Sequence, residues 1–123
     1  MIRPVLAFAA LLIAQPASAE SYPDAKRILT IGGSVTEIAY ALGQQDRLIG
    51  RDSTSSYPEE ATELPDVGYM RALSPEGVLS VNPDLILAEE GAGPPETIAV
   101  LQEAGIPIAL IPAVSNADEL VTK

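Results

Sequence analysis

The sequence predicts an α/β fold: a parallel sheet flanked by helices. Short apolar, β-branched runs alternate along the chain with segments whose apolar residues recur at helical spacing. Gly and Pro stand at nearly every junction between them. Residues 84–88 (Asp-Leu-Ile-Leu-Ala) are apolar at nearly every position, the pattern of a strand covered on both faces. Strands of that kind alternating with helices are joined by crossovers and lie parallel.

The elements follow in order. Met1-Ile2-Arg3 is a short positive start, residues 5–13 are unbroken apolar, and Ala17-Ser18-Ala19 is a small-x-small cleavage site. That layout reads as a secretory signal peptide over residues 1–19, since nine apolar residues are too few for the ~20 that span a bilayer. Residues 20–123 are then one exported α/β domain. Residues 27–31 read as the first strand, broken by Gly32-Gly33. Ser34-Val35-Thr36-Glu37 has the form of a capping box, and Val35, Ile38, Ala39 and Leu42 form one apolar helix face that Gly43 closes. Residues 47–50 read as a second strand, and 58–61 as one or two helical turns led by acidic residues.

Ser74-Pro75-Glu76 opens the next helix, with Ser at the N-cap, Pro at the first helical position and acid in the first turn. Val78, Leu79 and Val81 give it an apolar side before Asn82-Pro83 stops it. Strand three is 84–88. Pro94-Pro95-Glu96-Thr97 opens a helix with Ile98, Leu101 and Ala104 on one side and Gly105 at its end. Residues 106–111 are strand four, and Ser115 or Asn116 caps a further helix.

Composition excludes several function classes. Among 123 residues there is no Cys and no His, so no disulfide framework, zinc ribbon, imidazole metal site, thiol nucleophile or Ser-His-Asp triad can be assembled. The formal net charge of −10, with no basic run, is unsuited to holding nucleic acid. Ile31-Gly32-Gly33-Ser34 sits where a nucleotide loop would, but lacks the third glycine of G-x-G-x-x-G and the Gly-Lys-Ser/Thr of a P-loop. It reads as a tight turn. Glu59, Glu60 and Glu63 read as a solvated face, with no apolar setting to shift a pKa. The sequence supports no enzyme.

A binding protein remains, and the informative segment is residues 66–76, Asp-Val-Gly-Tyr-Met-Arg-Ala-Leu-Ser-Pro-Glu. It lies on a loop where open α/β sheets place ligands. It groups Tyr69, Met70 and Arg71 in a chain with only four Tyr and seven basic residues. A phenolate is a hard anionic ligand suited to ferric iron and is one of the axial ligands haem iron takes. Arg71 suits a phenolate or a propionate. Met70 suits packing against a porphyrin better than ligating ferric iron. The residues alone leave two readings of Tyr69 open, ligand or half-buried packing residue.

From Arg27 to about Thr122 the chain resembles the N-terminal lobe of periplasmic substrate-binding proteins that serve bacterial haem ABC importers. The resemblance is carried by residues 31–43, by Arg51-Asp52-Ser53-Thr54-Ser55, by residues 64–71 ending in Gly68-Tyr69-Met70-Arg71, and by residues 73–79. Asn82-Pro83-Asp84-Leu85-Ile86 is shared more broadly with cobalamin and siderophore receptors. The resemblance implies a Rossmann-like lobe of a class III periplasmic binding protein, with Tyr69 as axial ligand to the iron of haem. It also implies that Glu76 docks on arginines of the importer's transmembrane permease subunits. The protein would be a periplasmic monomer.

Such receptors have two lobes with ligand held between them. Residues 20–123 would supply the N-terminal lobe alone, the C-terminal lobe and any axial His from it being absent. Two alternatives stand beside haem delivery: the same fold binding a ferric siderophore or cobalamin, and a truncated α/β module that acts only as an interaction partner.

Overall fold

The computed structural model describes residues 22–112. The leader and the helix expected from Ser115 or Asn116 lie outside them. Four strands form one sheet in the order β2-β1-β3-β4, where β1 is Ile28–Ile31, β2 Leu48–Arg51, β3 Leu85–Glu89 and β4 Ile108–Ile111. Every pairing is parallel. The expected fold class is therefore the observed one.

Side chains alternate across a strand, and the core divides accordingly. Leu29 and Ile31 pair in register with Ile86 and Ala88, and all four are buried in one cluster with Val67, Met70, Leu73, Val78 and Leu101. Ile28 and Leu85, also in register, belong to the second cluster with Leu48 and Ala39. Helix α1, Gly33–Ala41, supplies Ala39 and so covers this second face. Helices α2, Pro75–Leu79, and α3, Pro95–Glu103, supply Val78 and Leu101 and cover the first, in contact with each other. Helices on both faces explain why β1 and most of β3 are buried without polar alternation.

Two expectations for α1 are corrected. The capping box does not form: Gly32 is the N-cap, and Ser34, already inside the helix, donates its hydroxyl to Glu89 Oε2 at 3.0 Å. Gly32 has φ +105°, and a Cβ there would lie 2.5 Å from Glu89 Oε2, so the chain turns into the helix two residues early where only glycine fits. The buried face is also rotated. Val35, Thr36 and Ala39 are buried, whereas Ile38 and Leu42 are 46% and 68% exposed. Thr36 takes a core position because its hydroxyl donates to Thr30 Oγ1 at 2.8 Å, which removes the cost of burying it. Hydrophobic spacing does not register a satisfied threonine.

Other elements match with small shifts. Backbone bonds from Gln44 to Ala39 and from Ile106 to Leu101 close α1 and α3 in the 6→1 pattern, with Gly43 and Gly105 at the turn. Residues 59–63 form a 3₁₀ segment, Glu59–Glu63. On α3, Leu101 is buried and Ile98 half-buried, while Ala104 is exposed rather than part of the apolar side. On α2, Val78 is buried and Leu79 is 42% exposed.

Candidate functional site

The C-terminal ends of β1, β2 and β3 lead into three segments: Gly32-Gly33, residues 52–68, and residues 90–94. In an open parallel sheet this edge is where ligands bind. The second segment returns to the sheet at Asp66, which makes a parallel bridge to Arg51. Arg51 N donates to Pro65 O (2.9 Å), Val67 N donates to Arg51 O (2.8 Å), and Ser53 N donates to Gly68 O (2.9 Å). Residues 65–68 thus run on as an extra edge beside β2.

Gly68 turns the chain out of that edge. Its φ is +109°, a conformation other residues rarely adopt, and its N–H donates to Asp66 Oδ1 at 2.8 Å. The next three residues diverge. Tyr69 is 49% exposed and Arg71 is exposed. Met70, expected to lie against the ligand beside them, is instead turned into the core, 8% exposed among Leu29, Ile31 and Leu73. The core face at this point needs an apolar side chain, and an unbranched thioether fills it readily.

The far end of the loop is fastened to the start of α3. Gly93 N donates to Met70 O (2.8 Å), Leu73 N donates to Gly93 O (3.0 Å), and Thr97 Oγ1 donates to Leu73 O (2.8 Å). Ala72 N closes a turn onto Tyr69 O at 2.9 Å. Tyr69 and Arg71 therefore project from backbone held on both sides. Among the described residues neither the Tyr69 hydroxyl nor the Arg71 guanidinium has a hydrogen-bond or ion-pair partner. Chemically this is an exposed phenol and a cation two residues apart, able to accept an anionic or metal-bearing ligand.

Glu76 sits in the first turn of α2, exposed. Ser74 Oγ caps that helix by accepting from Gly77 N at 3.0 Å, as its sequence predicts. Glu76 stands on the same stretch as Tyr69 but on the helix rather than the loop.

The residues 51–55 form the scaffold of this edge, a role the sequence reading gave no residue. Arg51 is half-buried and spends its guanidinium on the carbonyls of Leu64, Asp52, Ser55 and Thr62, at 3.2–3.4 Å, and on Asp66 Oδ2 at 3.7 Å. It closes the 52–66 loop and is not offered to a ligand. Asp52 is fully buried, with four donors on its carboxylate. The signal was present as an Asp-Ser-Thr-Ser run directly after a strand, residues that bond their own backbone at turns.

Among the described residues no group of three His, Cys, Asp or Glu side chains could hold a metal ion, and no helix is long and apolar enough to cross a membrane. An apolar groove of about 240 Å³ runs along α1, lined by Ile38, Leu42, Leu87 and Ile111 among others, on the face opposite the Met70 cluster.

Comparison with known proteins agrees with this architecture. A periplasmic heme-binding protein, RhuT from Roseiflexus sp. RS-1, is 46% identical with a TM-score of 0.68, over 71% of this chain and 34% of that one. A periplasmic heme binding protein from Pseudomonas aeruginosa is 37% identical with a TM-score of 0.75, over 80% of this chain and 35% of that one. The Vitamin B12-binding protein of Yersinia pestis is 39% identical over 84 residues, 68% of this chain and 30% of its own length. The chain thus spans about a third of the length of these relatives. The family model described as "Periplasmic binding protein" matches residues 28–121, from the first residue of β1 past the end of β4. With the sheet order, the C-terminal-edge site and this match in agreement, the chain belongs to the periplasmic binding protein family.

Proposed function

We propose that this chain is the haem-capturing lobe of a periplasmic receptor that delivers ferric haem to an ABC importer. The observation that carries the proposal is Tyr69, half-exposed and unpartnered among the described residues, on a loop fixed at Gly68, Met70 and Leu73. Its phenolate takes the axial position on the iron, and Arg71 offsets the negative charge of the phenolate or of a propionate. Met70 holds the loop to the core from beneath. The heme-binding relatives at 37–46% identity support this ligand. Haem is here the cargo, held by this lobe through one face and one axial ligand. Residues 1–19 act as the export signal and place the receptor in the periplasm as a monomer. Glu76, exposed at the start of α2, meets the permease's basic residues.

The similarity to the vitamin B12-binding relative favours one second reading, the same cleft taking cobalamin. Cobalamin and ferric siderophores need no protein ligand to their metal, so neither gives Tyr69 a task. Thermal melting of the chain with haemin, cyanocobalamin and a ferric siderophore in parallel separates the readings, because a ligand stabilises the state it binds by mass action. Haemin alone raises Tm if the proposal holds. A rise with cyanocobalamin or the siderophore but not with haemin overturns it, and no rise with any of the three favours a pure interaction module.

A further inference from the structure

We propose that Asp52 is a positioning residue for Tyr69: its buried carboxylate fixes the turn whose backbone N–H, at Ser53, holds the carbonyl of Gly68. This rests on Tyr69 being the iron ligand.

Asp52 lies at the C-terminal end of β2, with no exposed surface. Oδ1 accepts from Gly32 N at 2.9 Å and Ser55 Oγ at 2.6 Å, and Oδ2 accepts from Thr54 N at 3.1 Å and Thr54 Oγ1 at 2.6 Å. The carboxylate therefore ties two separate loops, the β1–α1 turn and residues 53–55, into one unit. Ser55 extends it inward, its Oγ standing 2.7 Å from Thr36 Oγ1 on α1. A burial of this kind is costly for a charged group unless its lone pairs are filled, and here both oxygens have two donors each.

The consequence for the site runs through one short link. With Asp52 and Thr54 fixed, Ser53 between them presents its N–H to Gly68 O at 2.9 Å. Gly68 is the residue at φ +109° from which Tyr69 departs, so a change in the 52–54 turn moves the phenol directly. Asparagine is nearly the same shape but replaces one acceptor oxygen with an amide donor. Turned toward Gly32 N and Ser55 Oγ the amide faces two buried donors, and turned toward Thr54 it faces an N–H and a hydroxyl that already donate, so in either orientation the turn loses an acceptor. The turn must then shift or open.

The test is a cycle of four proteins: the chain as it stands, Asp52→Asn, Tyr69→Phe, and the double variant. Each is loaded with ferric haemin, its visible spectrum recorded, and its haem loss timed against an excess of a haem scavenger. Asp52→Asn is expected to weaken the phenolate-to-iron band and speed haem loss on the order of tenfold, the low end for groups supporting a metal ligand. In the Tyr69→Phe background it is expected to do neither, because a residue acting through another shows no effect once that other is gone. Equal acceleration in both backgrounds overturns the proposal and makes Asp52 a general structural residue. No acceleration in either also overturns it. A Tyr69→Phe protein that matches the unaltered chain overturns the haem reading itself, visibly apart from either result. If Asp52→Asn does not fold by circular dichroism, Thr54→Val, which removes one hydroxyl from the same carboxylate at an exposed position, is read by the same criteria.

Discussion

Three adjacent residues, Tyr69, Met70 and Arg71, end up in two environments, with Met70 in the core and its neighbours in solvent. Their identity as a chemically unusual triplet was legible in the sequence; their division was not, because it depends on the apolar cluster beneath the loop, to which β1 and β3 contribute from elsewhere in the chain. The same holds for Arg51, whose charge suggests a ligand contact but whose guanidinium meets five backbone or side-chain oxygens of its own loop. Asp84, too, is set by partners distant in sequence. Its oxygens accept from the backbone N–H groups of Lys26 (2.9 Å) and Arg27 (3.0 Å), and these bonds, the Lys26 one foremost, hold its carboxyl below the usual carboxylate range. A depressed folded-state pKa adds stability that is present above the unfolded value, near pH 4, and fades as pH falls through the lower folded value. Asp84→Asn is therefore expected to melt below the parent chain at pH 7, with the gap closing in acid. Melts recorded across pH 2–7 check it, and a gap that stays constant would count against the assignment.

At the level of elements, the sequence located every strand within two residues and every described α-helix, though not the 3₁₀ turn Gln45–Arg47, because apolar runs, Gly stops and the Ser74-Pro75 start are local signals. What it missed were faces and caps. The buried stripe of α1 includes Thr36, paired with Thr30 and Ser55 across the fold, and the start of α1 is set by Gly32 against Glu89. Both are decided by partners distant in sequence. The cap of α2 is local and gives a clear expectation. Ser74 Oγ is the only side-chain cap among the described helices, so Ser74→Ala should cost about 1 kcal/mol in urea unfolding. No measurable loss would mean that Pro75 and the packing of Val78 alone set the helix start.

On the scale of the whole molecule, the alternation of strands and helices sufficed for the parallel sheet, and strand parity then distributes the core. One face carries α1; the other carries α2, α3 and the Met70 loop. That arrangement brings the Tyr69 loop to the C-terminal edge and leaves Glu76 exposed on α2 at the same time. On the proposed function, capture and delivery fall to different residues, and Glu76→Ala should leave haem binding unchanged while lowering importer-dependent haem uptake in cells. Uptake equal to that of the unaltered receptor would refute the docking role. Ligation of the iron by Tyr69 is read from the visible spectrum of the ferric haem complex. Phenylalanine keeps the ring and removes only the oxygen, so Tyr69→Phe is expected to fold as the parent does and to lose the tyrosine-ligated spectrum. A Tyr69→Phe complex with the parent's spectrum would mean that Tyr69 is not the iron ligand.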